Sequence, residues 1–246
     1  MIIYKILLNI YHLIINKTKF FLIYKYLVHL IHLLFIKYFV GKSIYSIEFK
    51  KLINFPQYKF TANNINQSIY LFENIIKKKN QKMNILILGC FEGMTSIFFL
   101  NYFNIEKIHC VDLWDIEIYK KSKSNPNINA EEFFDNNLKQ YDNYIKYKLS
   151  TDAFFKNYKL RPLDLVYVDA SHYYLNVARD AFNAHKILKY GGYLIFNSLL
   201  WRNSKICKNS NLAGINIFLE KKYKDFKIVS LTSNMLILKK LNNSKN

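Results

Sequence analysis

Strand-like apolar runs alternate with helix-like segments along most of the chain after Pro56, and this alternation constrains the fold more than any other feature. The first pair is the run Asn84–Leu88 and the amphipathic stretch Met94–Tyr102, and the same order repeats towards the C-terminus. Strands that alternate with helices predict a parallel sheet with crossover helices. We therefore expect an α/β fold with a doubly wound, Rossmann-like, mostly parallel seven-stranded sheet that ends in a C-terminal antiparallel hairpin.

The element boundaries follow from apolar periodicity and from turn residues. The predicted strands are Asn84–Leu88, Lys107–Val111, Ile145–Leu149, Leu163–Val168, Tyr193–Phe196, Phe226–Leu231 and Met235–Lys239. The predicted helices are Ser68–Lys78, Met94–Tyr102, Ala130–Tyr141, a short one from Thr151, Tyr174–Leu188 and Leu212–Lys221. Gly191 and Gly192 are expected to close a helix, and the polar segment 115–130 has the length and polarity of a lid over a substrate.

The composition argues against nucleic acid as the main partner. The net charge is +19, but only three of the 36 basic residues are arginine, the residue that pairs best with phosphate and guanine. We interpret the lysines as solubilising residues. Cys90, Cys110 and Cys207 are odd in number and do not form a CxxC pair, so we expect reduced thiols in the cytoplasm and no zinc site.

Residues 1–60 are predicted to form an amphipathic helical extension, and residues 61–246 the main domain. The first alanine is Ala62, so a signal-peptidase site of the A-x-A type is not expected. Lysines interrupt every apolar run before the ~18 residues that a membrane-spanning helix needs. The polar residues recur at steps of three and four, which places them on one narrow stripe of a helix, and they are Lys5, Asn9, His12, Asn16, Lys19, Lys25, His29 and His32.

Two interpretations of this extension stay open. Its wide apolar face could pack on the main domain or on a second subunit of a homo-oligomer. Alternatively, residues 1–40 could lie in the interface of a membrane, with the lysines towards anionic headgroups at the inner face. Deletion of residues 1–45 would discriminate, because a folded remainder would identify the extension as an anchor or partner surface.

The stretch Ile85–Ser96, ILILGCFEGMTS, uses two of only six glycines in one turn between a strand and a helix. In a doubly wound sheet, ligands bind beyond the carboxyl ends of the strands. Gly89 can adopt positive φ, and Gly93 allows a close approach at the helix start. Asp112 ends the next strand, a position from which an acidic residue usually accepts hydrogen bonds from ribose hydroxyls. The spacing is neither GxGxxG nor a P-loop, so a nicotinamide site and a nucleotide triphosphatase are disfavoured.

Four segments in order, ILGCFEGMTS, VDLWD, LVYVDASHYYLNVARD and LKYGGYLIFNSLLW, resemble the class I S-adenosylmethionine-dependent methyltransferases. The nearest pattern is that of a bacterial subfamily with GxFEGxS-like and IDGSH-like motifs. The resemblance covers residues 65–240 and implies S-adenosyl-L-methionine as cofactor. The acceptor it implies is a hydroxyl of a small molecule or a glycan.

The resemblance also implies roles for individual residues. Residues that match cofactor-binding positions are Gly89, Cys90, Phe91, Glu92 and Gly93 for the methionine part, Asp112 for the ribose, Leu113 and Trp114 near the adenine, Ser150 and Thr151 at its border, and Asp169. Asp169 and His172 match the motif that faces the transferred methyl group. His172 is the candidate general base, since its ordinary pKa lies near neutrality. The alternative is that His172 only caps a helix or orients a loop.

Two departures from the family pattern bear on activity. Ile87 stands where the family has an acidic residue, and Asn197-Ser198 stands where metal-binding relatives have Asp-Asp or Asp-Asn. One carboxylate, one amide and one hydroxyl make a poor site for a hard cation, so we predict no metal site. The departures also favour a second hypothesis, a non-catalytic binding or scaffold protein with this fold. A third is a peripheral membrane protein whose main function lies in its N-terminal helices.

Overall fold

The structure is a computed structural model, and the part of the chain that it describes is discontinuous. The described residues are 7, 10, 11, 13, 14, 18–20, 22–24, 26–28, 44–61, 69–72, 75, 81–115, 129–200, 210–232 and 234–242. The predicted lid lies largely outside the described residues, as do most residues of the predicted polar stripe and of the predicted helix Ser68–Lys78.

The described elements follow the predicted order. The strands are β1 Met83–Leu88, β2 Ile105–Asp112, β3 Tyr144–Lys148, β4 Leu163–Val168, β5 Leu188–Asn197, β6 Phe226–Leu231 and β7 Met235–Lys240. The α-helices are α1 Ile44–Leu52, α2 Met94–Tyr102, α3 Ala130–Leu138, α4 Thr151–Asn157, α5 Tyr174–Ile187 and α6 Asn211–Lys222. Short 3₁₀ turns lie at Ile69–Phe72 and Tyr223–Asp225.

The strands form one seven-stranded mixed sheet in the order β3-β2-β1-β4-β5-β7-β6. The pairs β1–β2, β2–β3 and β4–β5 are parallel, whereas β5–β7 and β6–β7 are antiparallel. This confirms the predicted fold class, including the C-terminal antiparallel hairpin. Thr232 closes the hairpin, because its hydroxyl accepts from Met235 N at 2.9 Å and from Asn234 N at 3.1 Å.

The chain divides into two compact units, and each is described separately. The first unit is Lys42–Lys159, and the second joins Met1–Gly41 to Leu160–Asn246. In the first unit β1 is apolar and buried along its last four residues, as expected of a strand covered on both faces. Packed rings cover one side of this sheet, with Phe98 lying 5.3 Å from both Phe49 and Phe72 between ring centroids.

In the second unit, helices α5 and α6 pack closely at Gly214. A Cβ atom at this position would collide with the carbonyl oxygen of Tyr174 and lie 2.9 Å from Val177 Cβ. Glycine is therefore required here by the helix–helix distance, and this requirement has no local sequence signal. Among the described residues, we find no helix long and apolar enough to cross a membrane.

The glycine pair before the fifth strand differs from the prediction. Helix α5 ends at Ile187 and the strand begins at once, so Gly191 and Gly192 lie within β5 and do not close a helix. The register against β4 shifts, because Leu163 pairs with Leu188 but Leu165 pairs with Tyr193. Gly191 has a φ of 76°, and the extra residues form an irregularity of the kind that glycine favours in strands.

Candidate cofactor-binding and active site

The turn between β1 and α2 has a strained backbone that the sequence does not reveal. Gly89 and Gly93 have φ values of 88° and 86°, which glycine adopts readily. Phe91, between them, has a φ of 47°, and Trp114 just after β2 has a φ of 45°. Non-glycine residues in this left-handed region cost of order 1–3 kcal/mol each and tend to occur at functional sites.

One carboxylate holds both strained residues. Asp112 Oδ2 accepts hydrogen bonds from Cys90 N at 2.8 Å and from Phe91 N at 2.9 Å. Its Oδ1 accepts from Trp114 N at 2.9 Å. The indole Nε1 of Trp114 donates in turn to Phe91 O at 2.9 Å. Bonds from backbone N–H groups to a carboxylate are stronger than neutral ones, so Asp112 fixes the shape of the glycine turn. We call this arrangement the Asp112 clamp.

The end of β2 also presents an apolar side chain to solvent. Leu113 is 44% exposed, beside the partly exposed Asp112. Trp114, by contrast, is 3% exposed, and its ring packs 4.8 Å from that of Phe134. A carboxylate beside an accessible apolar group is suited to a ribose ring and an adenine base. The Trp114 ring is buried against Phe134 and is not accessible to such a ligand.

The Glu92 carboxylate lies inside the protein and has partners there. Glu92 is 1% exposed, and its two oxygens accept from Thr61 N at 2.8 Å and from Thr61 Oγ1 at 2.5 Å. Asn137 Nδ2 donates to Glu92 O and to Lys59 O, each at 2.9 Å. These bonds attach the segment around Lys59 and Thr61 to the glycine turn. In this structure Glu92 therefore stabilises the glycine turn through its hydrogen bonds to Thr61.

The second glycine of the turn is required by packing. A Cβ atom at Gly93 would collide with Leu138 Cδ1 and lie 3.1 Å from Phe134 Cδ2, both on α3. Its positive φ adds strain for any other residue. The sequence predicts that Gly93 lets the helix start against a ligand, and the structure shows in addition that side chains of α3 approach this glycine closely.

Two more residues predicted at the cofactor site have local roles. Ser150 is the N-cap of α4, and its hydroxyl accepts from Ala153 N at 3.2 Å, with Thr151 as the first helical residue. Cys90 is buried, and this burial raises the pKa of its thiol well above the ordinary value, with Cys110 and Asp112 acting in the same direction. The thiol is therefore protonated and unsuited to nucleophilic chemistry.

A cleft of about 390 Å³ lies in the same unit beside the glycine turn. Its lining combines apolar, aromatic and polar residues, namely Ile53, Asn54, Phe55, Pro56, Tyr58, Phe60, Thr61 and Met94. Met94 follows Gly93 directly, and Thr61 is the residue that holds Glu92. The sequence analysis did not find this cleft, because it depends on the bonds that attach the segment 59–61 to the turn.

In the second unit, two hydrogen-bonded pairs follow β4. Asn197 Nδ2 donates to Asp169 Oδ2 at 2.9 Å, and Ser198 Oγ lies 3.5 Å from Asp169 Oδ1. Ser198 has a φ of 55°, a third strained non-glycine residue. The second departure noted in the sequence, Asn197-Ser198, thus forms the environment of Asp169. Among the described residues, we find no group of three or more His, Cys, Asp or Glu side chains that could hold a metal ion.

His172 pairs with Asn211, the first residue of α6. Its Nδ1 lies 3.2 Å from Asn211 Oδ1 and 3.1 Å from Asn211 Nδ2, and Asn211 Nδ2 also donates to Ser198 O at 3.0 Å. In the tautomer that donates from Nδ1–H to Oδ1, the lone pair of the neutral ring is on Nε2. Burial lowers the pKa of His172, and the bond to Asn211 opposes this shift. His172 is therefore neutral near pH 7, the form that a general base requires.

The comparisons with known proteins concern the domain and its fold. Residues 86–199 match a family model described as a methyltransferase domain. The chain has the Rossmann-like methyltransferase fold. No curated protein sequence matches the chain significantly.

Solved structures of methyltransferases have the same fold at low sequence identity. The O-methyltransferase TomG from Streptomyces achromogenes, in complex with SAM, superposes with a TM-score of 0.53 at 12% identity, over 85% of this chain and 95% of that one. An O-methyltransferase from Bacillus cereus in complex with SAH has a TM-score of 0.50 at 15% identity, over 83% and 94%. The MycE methyltransferase of the mycinamycin biosynthetic pathway, with Mg and SAH, has a TM-score of 0.55 at 14% identity, over 83% and 56%.

The sequence analysis missed three residues that the structure places in contact with predicted site residues. They are Thr61 at Glu92, Asn137 at the glycine turn and Asn211 at His172. Each lies 31 or more residues from its partner along the chain. Polar residues of this kind are common in loops and at helix starts, so a single sequence offers no signal that distinguishes them.

Proposed function

We propose that the protein is an S-adenosylmethionine-dependent O-methyltransferase acting on a small-molecule or glycan-type acceptor. The observation that carries the proposal is the Asp112 clamp, in which one carboxylate at the end of β2 shapes a strained glycine turn. The methyltransferase-domain match over residues 86–199 supports it independently. The acceptor class rests on the sequence resemblance.

The residues at the turn suit the cofactor. Gly89 to Gly93 would enclose the methionine part, while Asp112 would accept from the ribose hydroxyls. The exposed side chain of Leu113 would cover the adenine, with Ser150 and Thr151 at its border. Phe91 and Trp114 would act by holding the turn. Bound S-adenosylmethionine supplies a methyl group that is already activated towards a nucleophile.

His172 would remove the proton from the acceptor hydroxyl. In the tautomer whose Nδ1–H donates to Asn211 Oδ1, the basic lone pair lies on Nε2, away from that contact. Asp169 would complete this part of the site, with Asn197 holding its carboxylate. Because Asn197 donates its amide hydrogen to Asp169, the pair is satisfied without a cation, and we propose methyl transfer without a bound metal.

The cleft beside Met94 is a candidate entry for the acceptor. Its lining includes the side chains of Phe55, Tyr58 and Phe60, which offer flat apolar surfaces. Binding pockets for small molecules combine apolar surface with a few placed polar groups, and this cleft offers both, with Asn54 and Thr61 among its polar residues. We place the protein in the cytoplasm, in keeping with its free, buried thiols Cys90 and Cys110.

A non-catalytic protein with this fold is the second candidate. The observation that favours it is that Glu92, within the matched cofactor turn, has both carboxylate oxygens engaged by Thr61. Ile87 adds to it, because this fully buried side chain gives no polar anchor at the end of β1.

Transfer of a labelled methyl group tests the proposal against this alternative. The purified chain is incubated with methyl-labelled S-adenosylmethionine and a panel of hydroxylated small molecules and glycans. We expect label to enter at least one acceptor, and His172→Gln to lower kcat by about 10²-fold or more with cofactor affinity unchanged. Cofactor binding without transfer to any acceptor would support the non-catalytic candidate. Transfer that survives His172→Gln at full rate would show that His172 only orients its loop.

A further inference from the structure

The described part of the N-terminal segment carries large apolar side chains on two opposite faces. On one face Leu13, Leu22 and Tyr26 are at most 3% exposed. The residues of the other face are between 41% and 81% exposed, and they are Leu7, Tyr11, Ile14, Phe20, Tyr24 and Val28. We call this second set the outer N-terminal face. The sequence analysis treated packing on protein and contact with a membrane as alternatives. The structure shows one buried and one exposed apolar face in the same segment.

The spacing of these residues explains the two faces. Residues 7, 11 and 14 are helical, as are 20, 24 and 28, and each set recurs at steps of three or four. Successive helical residues turn by about 100°, so each set lies on one side of its helix. Leu13, Leu22 and Tyr26 fall on the other side by the same count. The exposed stripe is therefore a property of the helices and not of a few isolated side chains.

Polar residues that lie between the helical parts of this segment attach it to the rest of the second unit. Asn216 Nδ2 of α6 donates to Thr18 Oγ1 at 2.9 Å, and Thr18 is buried. Lys19 Nζ lies 4.0 Å from the ring centroid of Tyr223, within reach of a cation–π interaction. These contacts hold the segment by its buried face, so the outer face is presented from a fixed position.

The charge around the outer face indicates its partner. Residues 1–47 contain no Asp or Glu, and lysines occur at positions 5, 17, 19, 25, 37 and 42. The segment that carries this apolar and aromatic face therefore has a net positive charge, which suits an anionic lipid surface. Tyr11 and Tyr24 are suited to the boundary between headgroups and acyl chains, where tyrosine is enriched.

We propose that the outer N-terminal face docks on an anionic membrane surface and lies in its interface. Phe20, the most exposed of the six side chains, would insert most deeply, and the positive charge of residues 1–47 would favour anionic headgroups. This docking does not depend on methyl transfer. It would place the catalytic units beside the membrane, where acceptors with lipid chains are present.

Vesicle sedimentation with the full-length protein tests the docking. The probes are vesicles of phosphatidylcholine alone and vesicles with about 30% phosphatidylglycerol, at low and high salt. We expect binding to the anionic vesicles to be at least about tenfold tighter, and to weaken at high salt. The double variant Phe20→Ser/Tyr24→Ser should bind about tenfold more weakly. The matched control is Tyr190→Ser/Leu175→Ser, which removes exposed apolar side chains elsewhere in the same unit and should bind as wild type.

Three results would overturn the proposal. The first is absence of binding to either vesicle. The second is equal loss in the test and control variants. The third is light scattering that shows a dimer of the wild type, a monomer of the Phe20/Tyr24 variant and no lipid binding, which would assign the face to a second copy of the chain. Circular dichroism and the melting temperature must match between the two double variants, so that unfolding cannot imitate loss of binding.

Discussion

The glycine turn in the first unit and the loop after β4 in the second are both held by acidic residues, but with different partners. In the first, the carboxylates of Asp112 and Glu92 accept backbone N–H groups, which hold the main chain itself. In the second, Asp169 and His172 are paired with the side-chain amides of Asn197 and Asn211. The first arrangement fixes the shape of a loop, whereas the second fixes the orientation of side chains. This difference corresponds to the roles proposed above, cofactor binding for the glycine turn and proton transfer for His172.

Replacement of Gly93, in the turn of the first unit, should cause the largest loss in the free energy of unfolding. Gly93→Ala places a methyl group against Leu138 and Phe134 at a positive φ, so we expect the free energy of unfolding to fall by roughly 2–4 kcal/mol. The matched control is Gly191→Ala, where φ is also positive but no atom lies within 4 Å of the new Cβ. It should cost only about 1 kcal/mol of backbone strain. Urea denaturation measures both, and equal losses would contradict a packing role for Gly93.

The pair Glu92 and Thr61 should have the next largest effect. Glu92→Gln keeps the size of the side chain but turns one acceptor into a donor, which removes one of the two bonds from Thr61 and leaves a buried polar group of residue 92 without its partner. We expect a loss of about 1–3 kcal/mol in the free energy of unfolding. Thr61→Val removes only the hydroxyl.

A double-mutant cycle on the two positions separates their interaction from other effects. We expect the losses to be less than additive, because the hydroxyl bond counts in both single variants. Strict additivity would mean that the two side chains do not interact in solution.

The smallest expected effect is on the pH dependence of methyl transfer. Burial lowers the pKa of His172, so its neutral, basic form persists below pH 6.5 and activity should be lost only as the pH falls below that value. The bond to Asn211 raises this pKa, so Asn211→Leu should move the acidic limb to lower pH still. The measurement is kcat/KM against pH for both proteins. An unchanged limb would mean that His172 is not the titrating base.

Much of the sheet could be predicted, because its strands are continuous apolar runs. The boundaries of α2 and β4 were predicted to the residue, and both elements are dominated by buried apolar side chains. The glycine pair in β5 was interpreted wrongly, since a helix-closing glycine and a glycine in a strand irregularity have the same local sequence. The four residues Lys189–Gly192 fit into the strand only because the register shifts against β4, which is a long-range property.

The candidate site could be predicted only where its residues lie in the sequence motifs that carry the resemblance. Asp112 was singled out from its position after a strand, and the structure adds that its partners include the strained residues Phe91 and Trp114. The bracing of Glu92 by Thr61 was not predictable, because a surface threonine 31 positions away carries no marker of that contact. The sequence thus proposed the positions of the site, whereas the contacts that hold those residues are found only in the structure.

Calorimetric titration of S-adenosylmethionine into the purified protein tests the central claim most directly. The account predicts micromolar binding to the wild type and at least a tenfold loss in Asp112→Asn, which keeps the size of the side chain but removes its charge and an acceptor. The matched control is Asp142→Asn, an exposed acid in the same unit, which should bind as wild type. Absence of binding to the folded wild type, or equal affinity in Asp112→Asn, would contradict the assignment of the glycine turn as the cofactor site.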